Sequence, residues 1–261
     1  MPGAITGRRR RGTSRWARRQ GSGSDRAPDP PRAAADKNSA LRPVRDASEP
    51  HVDRTMKVVV VGAGILGAST AYHLARAGCE VTVIDRTDAG RATAAGAGII
   101  CPWGSPVEDA ACYGLLAGGA RYYPEFVAML AADGEPDVGY ATVGGLYVPA
   151  EARELDAVER RVRARGKTWP VGKVERLSAV QAQALFPPLR SEQPALYVSG
   201  GARVDGRRLA RALQRACVRH GAQFETGSAE LTVENHRAVG VRVGGQAIAA
   251  EIVVVAAGAW A

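Results

Sequence analysis

Four consecutive valines, Val58–Val61, form the first β-branched run in the chain, the pattern of a parallel strand covered on both faces. The spacing then turns helical. A helix is predicted from about Ile65 to Ala77, with Leu66, Ala71, Leu74 and Ala75 as its apolar face and Gly78 in place for a left-handed cap. Val81–Ile84 predicts a second strand, ended by Asp85. Further on, Tyr113, Leu116, Ala120, Tyr123, Val127 and Leu130 recur at helical intervals and predict a helix over 107–132, its pattern interrupted by Pro124. Gly144–Val148 reads as a turn into a short strand. Glu151–Arg165 predicts an amphipathic helix with Leu155, Val158 and Val162 inward, a solvated charge run outward and Gly166 as its stop. Leu177-Ser178-x-x-Gln181 is a capping box opening a short helix that Pro187-Pro188 closes, and Ala195–Val198 is a further strand. A helix over Arg207–His220 follows, with Leu209, Leu213, Ala216 and Cys217 inward and Gly221 as its cap. Phe224–Thr226, 229–233 and 239–243 are strand-like, and Glu251–Trp260 holds another buried strand that ends in a small-residue turn.

This order predicts an α/β fold. A Rossmann-like domain runs from 56 to about 145 and resumes over 201–261, split by an inserted α+β segment at 146–200.

Between the first strand and helix, Gly62, Gly64 and Gly67 complete a G-x-G-x-x-G spacing. Gly62 permits the tight turn, Gly64 lets the backbone approach a pyrophosphate, and Gly67 lets the helix pack close to the strand. The helix N-terminus, at Ile65 and Leu66, aims free N–H groups and the positive dipole end at that pyrophosphate. Asp85 is placed to accept from a ribose hydroxyl. The spacing alone is weak evidence; strand, turn, helix and acid together predict an adenine dinucleotide site. Residues 86–103 are dense in glycine and alanine, a composition suited to laying backbone N–H groups against a ligand. Within them, Thr93 offers a hydroxyl and Arg91 a charge to a phosphate.

Charge narrows the function classes. Residues 1–55 hold 13 Lys/Arg against 6 Asp/Glu, a net of +7, whereas 56–261 hold 22 against 20, a net of +2. The folded part therefore has no electrostatic footprint for nucleic acid. The first 55 residues lack periodicity and large apolar side chains, so a disordered basic tail is expected there. No apolar h-region follows Arg8–Arg11, Arg18 and Arg19, which argues against a secretory signal, and Met56 is a candidate for the true start. No apolar run approaches the ~20 residues of a membrane helix. Cys79, Cys101, Cys112 and Cys217 are scattered, so neither a metal site nor a disulfide framework is expected, and the cytoplasm is the expected compartment. His73, His220 and His236 read as structural residues.

Three segments together resemble the FAD-dependent amino-acid oxidase and dehydrogenase superfamily, which includes D-amino acid dehydrogenase, glycine oxidase and sarcosine oxidase. They are VVVVGAGILGASTAYHLARAGCEVTVIDR at 58–86, GGARVDGRRLARALQRACVRHGAQFETG at 200–227 and IVVVAAGAWA at 252–261. The likeness spans 56–261. It implies FAD as cofactor, hydride transfer from the α-carbon of an amine or D-amino acid to flavin, and hydrolysis of the imine to keto acid and ammonia. Oxygen or a quinone would be the electron acceptor. It also implies flavin contacts from Gly62, Gly64, Ile65, Leu66 and Gly67 to the pyrophosphate and from Asp85 and Arg86 to the adenosine. Thr93, Gly98 and Ile99 would lie towards the ribityl chain, Gly258 and Trp260 at the closing turn, and the adenine near Ala229–Leu231. Gly206 replaces a usual proline and Asp85 a usual glutamate. The family continues beyond the turn at 258–260, so a C-terminally truncated member is expected, with its catalytic residues unassigned. Two alternatives are an NAD-dependent dehydrogenase, in which Asp85 selects NAD, and a catalytically incomplete cofactor-binding fragment. The inserted segment and the 252–260 strand favour a flavoprotein over a simple nicotinamide fold.

Overall fold

The computed structural model describes residues 55–190 and 192–261. Except for Thr55, the tail expected over 1–55 lies outside the described residues.

β1 (Lys57–Val61) leads through the glycine turn into α1 (Ile65–Arg76) and β2 (Glu80–Asp85). α1 ends in a Schellman motif. Gly78 sits at φ +86° and donates to Ala75 O, and Cys79 N–H reaches back to Leu74 O at 3.1 Å. Next come the four-residue helix α2 (Ala92–Ala95), the short strand β3 (Ile99–Ile100) and the long helix α3 (Ala110–Ala132). α3 starts later than the spacing suggests, because Asp109 accepts from Cys112 N–H and fixes the cap there; it runs on through Pro124. β4 (Ala141–Thr142), β5 (Gly145–Tyr147), α4 (Leu155–Arg165), β6 (Val174–Leu177), α5 (Ala179–Leu185) and β7 (Ala195–Val198) make up the middle of the chain. The capping box at α5 is complete, with Ser178 Oγ accepting from Gln181 N–H and Gln181 Oε1 accepting from Ser178 N–H. β8 (Ala202–Arg203), α6 (Gly206–Arg219), β9 (Gln223–Thr226), β10 (Ala229–Glu234), β11 (Arg237–Val243), β12 (Gln246–Ala249) and β13 (Ile252–Val255) complete the order.

The nucleus is a parallel sheet in the order β13-β1-β2-β9. Its register places Val58 beside both Ile252 and Val81, and Asp85 beside Thr226. α1 and α6 pack together against the sheet. Val58, Val60, Ala68, Ala71, Tyr72, Val81, Val83, Leu209, Leu213 and Cys217 form one core. A second core joins Trp103, Tyr113 and Ala117 to Leu155, Val162, Val171, Leu196 and Val198 around the antiparallel sheet β5-β7-β6. The inserted segment thus shares its interior with residues well before 146. β10, β11 and β12 form an antiparallel meander, and β3-β8-β4 a third small sheet. Among the described residues, no helix is long and apolar enough to cross a membrane.

Several expectations need correction. Leu66 is 69% exposed and is no part of the apolar face of α1, which buries Ala68 and Tyr72 instead. Leu116 on α3 is also exposed, while Ala117 and Phe126 are buried. β13 is not a buried strand: among the described residues it pairs only with β1 at the end of the sheet, and Ile252 and Val255 remain exposed. The charge run of α4 is not wholly solvated. Arg165 donates to the carbonyls of Trp103, Ser105 and Val107 and lies over the Tyr113 ring, and Arg161 donates to Gly104 O.

A candidate dinucleotide cleft

The parallel sheet opens at its carboxyl end onto a cleft of about 590 Å³, where ligands of open α/β sheets bind. Four segments distant in sequence line it: the glycine turn, the end of β2 with α2, Gly227–Ala229, and the stretch from Val255 to Ala261.

The glycines act differently. Gly62 sits at φ +105°, and a Cβ there would come 2.4 Å from Ala256 O. A Cβ on Gly67 would come 1.9 Å from Gly62 O, so only glycine allows α1 to start this close to β1. At Gly64 a Cβ would meet only Thr93 Oγ1, at 3.5 Å; the space beside it is the cleft itself. α1 therefore directs its N-terminus at an open volume.

Side chains hold this turn. Asp85 Oδ2 accepts from Ala63 N–H at 2.6 Å, and Oδ1 accepts from Thr87 N–H at 2.6 Å and from Arg91. Thr93 Oγ1 accepts from Ile65 N–H at 2.9 Å, so it caps α1 from the α2 side. Arg86 pairs with Asp88 at 2.8 Å on the rim. The turn Gly258–Trp260 closes the far wall, with Gly258 at φ +64° and Trp260 half exposed.

Of the residues singled out in the sequence, Gly62, Gly64, Ile65, Leu66, Asp85, Arg86, Thr93, Gly258 and Trp260 all line the cleft. Gly67 lies behind it as the contact between helix and strand. Gly98 and Ile99 are not in its lining. Gly98 accepts from Val204 N–H, and a Cβ on it would meet Val204 O at 1.9 Å; Ile99, on β3, is 76% exposed. At the expected adenine end, Ala229 lines the cleft with Gly227 and Ser228, but Leu231 does not. The signal for Gly227-Ser228 was their place just past the carboxyl end of β9. Gln214, whose amide donates to Ala63 O at 3.2 Å, carries no signal in its local sequence.

The three histidines among the described residues lie elsewhere. His73 packs among Tyr72, Tyr122 and Phe126, and burial, helped by Arg76, lowers its pKa. His220 shares Asp133 with Tyr72, at 3.0 and 2.5 Å, and His236 occupies a left-handed turn with Asn235. Among the described residues there is no cluster of three or more His, Cys, Asp or Glu able to hold a metal.

A profile described as "FAD dependent oxidoreductase" (DAO) matches residues 57–261. An uncharacterized oxidoreductase, YurR, of Bacillus subtilis is 47% identical over 204 residues, 78% of this chain and 55% of its own length. Glycine oxidase of Pseudomonas aeruginosa is 35% identical over 210 residues, 78% of this chain and 56% of its own. The crystal structure of iminodiacetate oxidase from Chelativorans sp. BNC1 superposes with a TM-score of 0.75 at 44% identity, covering 78% of this chain and 56% of that one. The chain spans about half the length of these relatives. An open helix N-terminus, a glycine cradle and an acid beside it fit the adenosine diphosphate half of FAD. With the match running unbroken from the glycine turn to the Gly258–Trp260 turn, this chain belongs to the FAD-dependent oxidoreductase (DAO) family, whose cofactor is FAD.

Proposed function

We propose that this chain forms the FAD-binding part of an oxidoreductase acting on small amines or amino acids. When bound, FAD would supply the hydride acceptor for oxidation of the substrate α-carbon to an imine, whose hydrolysis gives a keto acid and ammonia from a primary amino acid, or a keto acid and an amine where the nitrogen is substituted, as in iminodiacetate. The observation that carries this reading is the convergence of four sequence-distant segments, with Gly62, Gly64 and Asp85 among them, on a single cleft.

In this reading, 56–145 and 201–261 bind the cofactor and 146–200 form part of the substrate domain. The N-terminus of α1 faces the pyrophosphate, with Thr93 fixing the first turn. Asp85 holds Ala63 in place and presents its carboxylate to the ribose, with Arg86 on the adenosine side. Gly67 keeps α1 against the strand. Gly98 and Ile99, outside the cleft lining, would lie beyond it towards the ribityl chain. Gly258 and Trp260 close the far wall. Substrate specificity, the acceptor (oxygen or a quinone) and a cytoplasmic setting belong to the same proposal. The names of the relatives suggest glycine and iminodiacetate as first substrates, and the resemblance of the three sequence segments adds D-amino acids.

The test is anaerobic mixing of FAD-loaded chain with each candidate. Bleaching of the flavin by one of them, followed by recovery on adding oxygen or a quinone analogue, supports the reading and names the acceptor. A loaded chain that no amine or amino acid bleaches would restrict the function of this chain to cofactor binding.

A further inference from the structure

The cleft is built from loops with little burial of their own. α2 has four residues and none of them is buried, yet its Thr93 supplies the acceptor for Ile65 N–H at the mouth of α1. Something outside α2 must hold it in place. Arg207, in the first turn of α6, donates from Nε and Nη2 to Ala94 O, at 3.0 and 2.8 Å. Seven residues along, Gln214 donates from Nε2 to Ala63 O, inside the glycine turn. That spacing places both side chains on one stripe of the helix. The N-terminus of α6 is itself fixed, because Asp205 accepts from Arg207 N–H and Arg208 N–H. The buried residues Leu209, Leu213 and Cys217 lock the helix to the core.

We propose that Arg207 and Gln214 are positioning residues of the dinucleotide cleft, through which α6 sets the two halves of the phosphate-facing loop relative to each other. Arg207 acts through Ala94 and Thr93 on the Ile65 amide. Gln214 acts on the C=O of Ala63, the residue whose N–H is held by Asp85. Ala63 is thereby held on both its flanking peptides, at N–H from β2 and at C=O from α6. Neither residue lines the cleft, so neither touches the ligand. The inference rests on the FAD reading for its purpose and on the hydrogen bonds alone for its mechanism.

Two measurements on the full chain keep these parts separate. The first is amide hydrogen exchange at Ile65 and Gly96 without cofactor, in wild type, Arg207→Met, Arg207→Lys and Gln214→Leu. Arg207→Met is expected to speed exchange at both amides about five- to tenfold, as loss of one hydrogen-bonded anchor implies. Arg207→Lys should recover part of that protection, because a lysine still donates to Ala94 O. Gln214→Leu is expected to speed exchange at Ile65 and leave Gly96 unchanged. The second measurement is FAD affinity, expected to weaken about five- to tenfold in Arg207→Met and Gln214→Leu and to be partly restored in Arg207→Lys. Exchange of Ile65 at the wild-type rate in both Arg207→Met and Gln214→Leu would overturn the proposal, whatever the affinity. Faster exchange in a chain whose wild type takes up no FAD would support the positioning role and count against the FAD reading.

Discussion

Gly64 and Gly67 stand three residues apart and answer to different constraints. Gly64 has ordinary extended backbone (φ −66°, ψ 179°), and a side chain there would project into the cleft. Gly64→Val is therefore expected to fold, with Tm lowered by only about 2–4 °C, and to lose FAD binding in a fluorescence titration. Gly67→Ala drives a methyl into Gly62 O and should destabilise the chain by about 3 kcal/mol, read by chemical unfolding, whether or not FAD is present. A Gly64→Val chain that still takes up FAD would remove the pyrophosphate from this turn. Asp85→Ala loses an acceptor for Ala63 N–H and Thr87 N–H, and should weaken FAD binding tenfold or more and lower stability by about 1–2 kcal/mol. Unchanged FAD affinity in that variant would remove Asp85 from the ribose site. At this scale the sequence was informative, because glycine spacing within its strand, turn and helix marks where the backbone must pass close, at Gly62 and Gly67. The contact of Asp85 with Ala63, and those of Arg207 and Gln214, depend on which distant backbone atoms the fold brings near. No local pattern encodes that.

Elements were legible where their ends carry chemistry. The cap of α1 and the box at α5 follow from short-range hydrogen bonding, and the structure has both. The Schellman glycine gives a direct check. Gly78→Ala meets no neighbour within 4 Å, yet must hold φ +86°, so it should cost about 1 kcal/mol in unfolding free energy without changing the cleft. The meander was read only in part. β12 follows β11 through Gly244-Gly245, at φ +56° and +89°, a two-residue hairpin loop for which Gly-Gly is one of the favoured pairs. The exposed face of β13 and the inward arginines of α4 escaped for another reason. Apolar spacing reports which side of an element prefers burial; it does not report how many neighbours reach that side. Arg165 is half-buried against accepting carbonyls, a use of charge that periodicity reads as a solvated face.

Across the molecule, a nearly buried carboxylate just past α3 is tied to two arginines of α6. Glu135 is 7% exposed and pairs with both Arg215 and Arg219. Hydrogen bonding from Arg215, then Arg219, outweighs burial and holds its pKa at about 2, below its ordinary 4.5. A depressed carboxylate stabilises the fold fully above its unfolded pKa and loses that contribution as pH falls towards the folded value. Thermal stability should therefore fall between about pH 4.5 and 2, and Glu135→Gln should lower stability at neutral pH by about 1–3 kcal/mol while flattening that acid limb. An unchanged acid limb in Glu135→Gln would assign the loss to other carboxylates. The parallel sheet, the two helices packed on it and the cleft at its carboxyl end were all foreseeable from the alternation of strand and helix patterns. The shared core of Trp103 and Tyr113 with the inserted segment was not, since it joins residues that no periodicity connects. The central claim is that four separated segments of this one chain assemble a site for FAD. It is tested most directly by titrating the purified chain with FAD and with NAD, following flavin fluorescence and the visible spectrum for the first and calorimetric heat for the second. Saturable uptake of FAD, abolished in Gly64→Val and absent for NAD, is the predicted result. Uptake of NAD alone, or FAD uptake that Gly64→Val leaves intact, would contradict it.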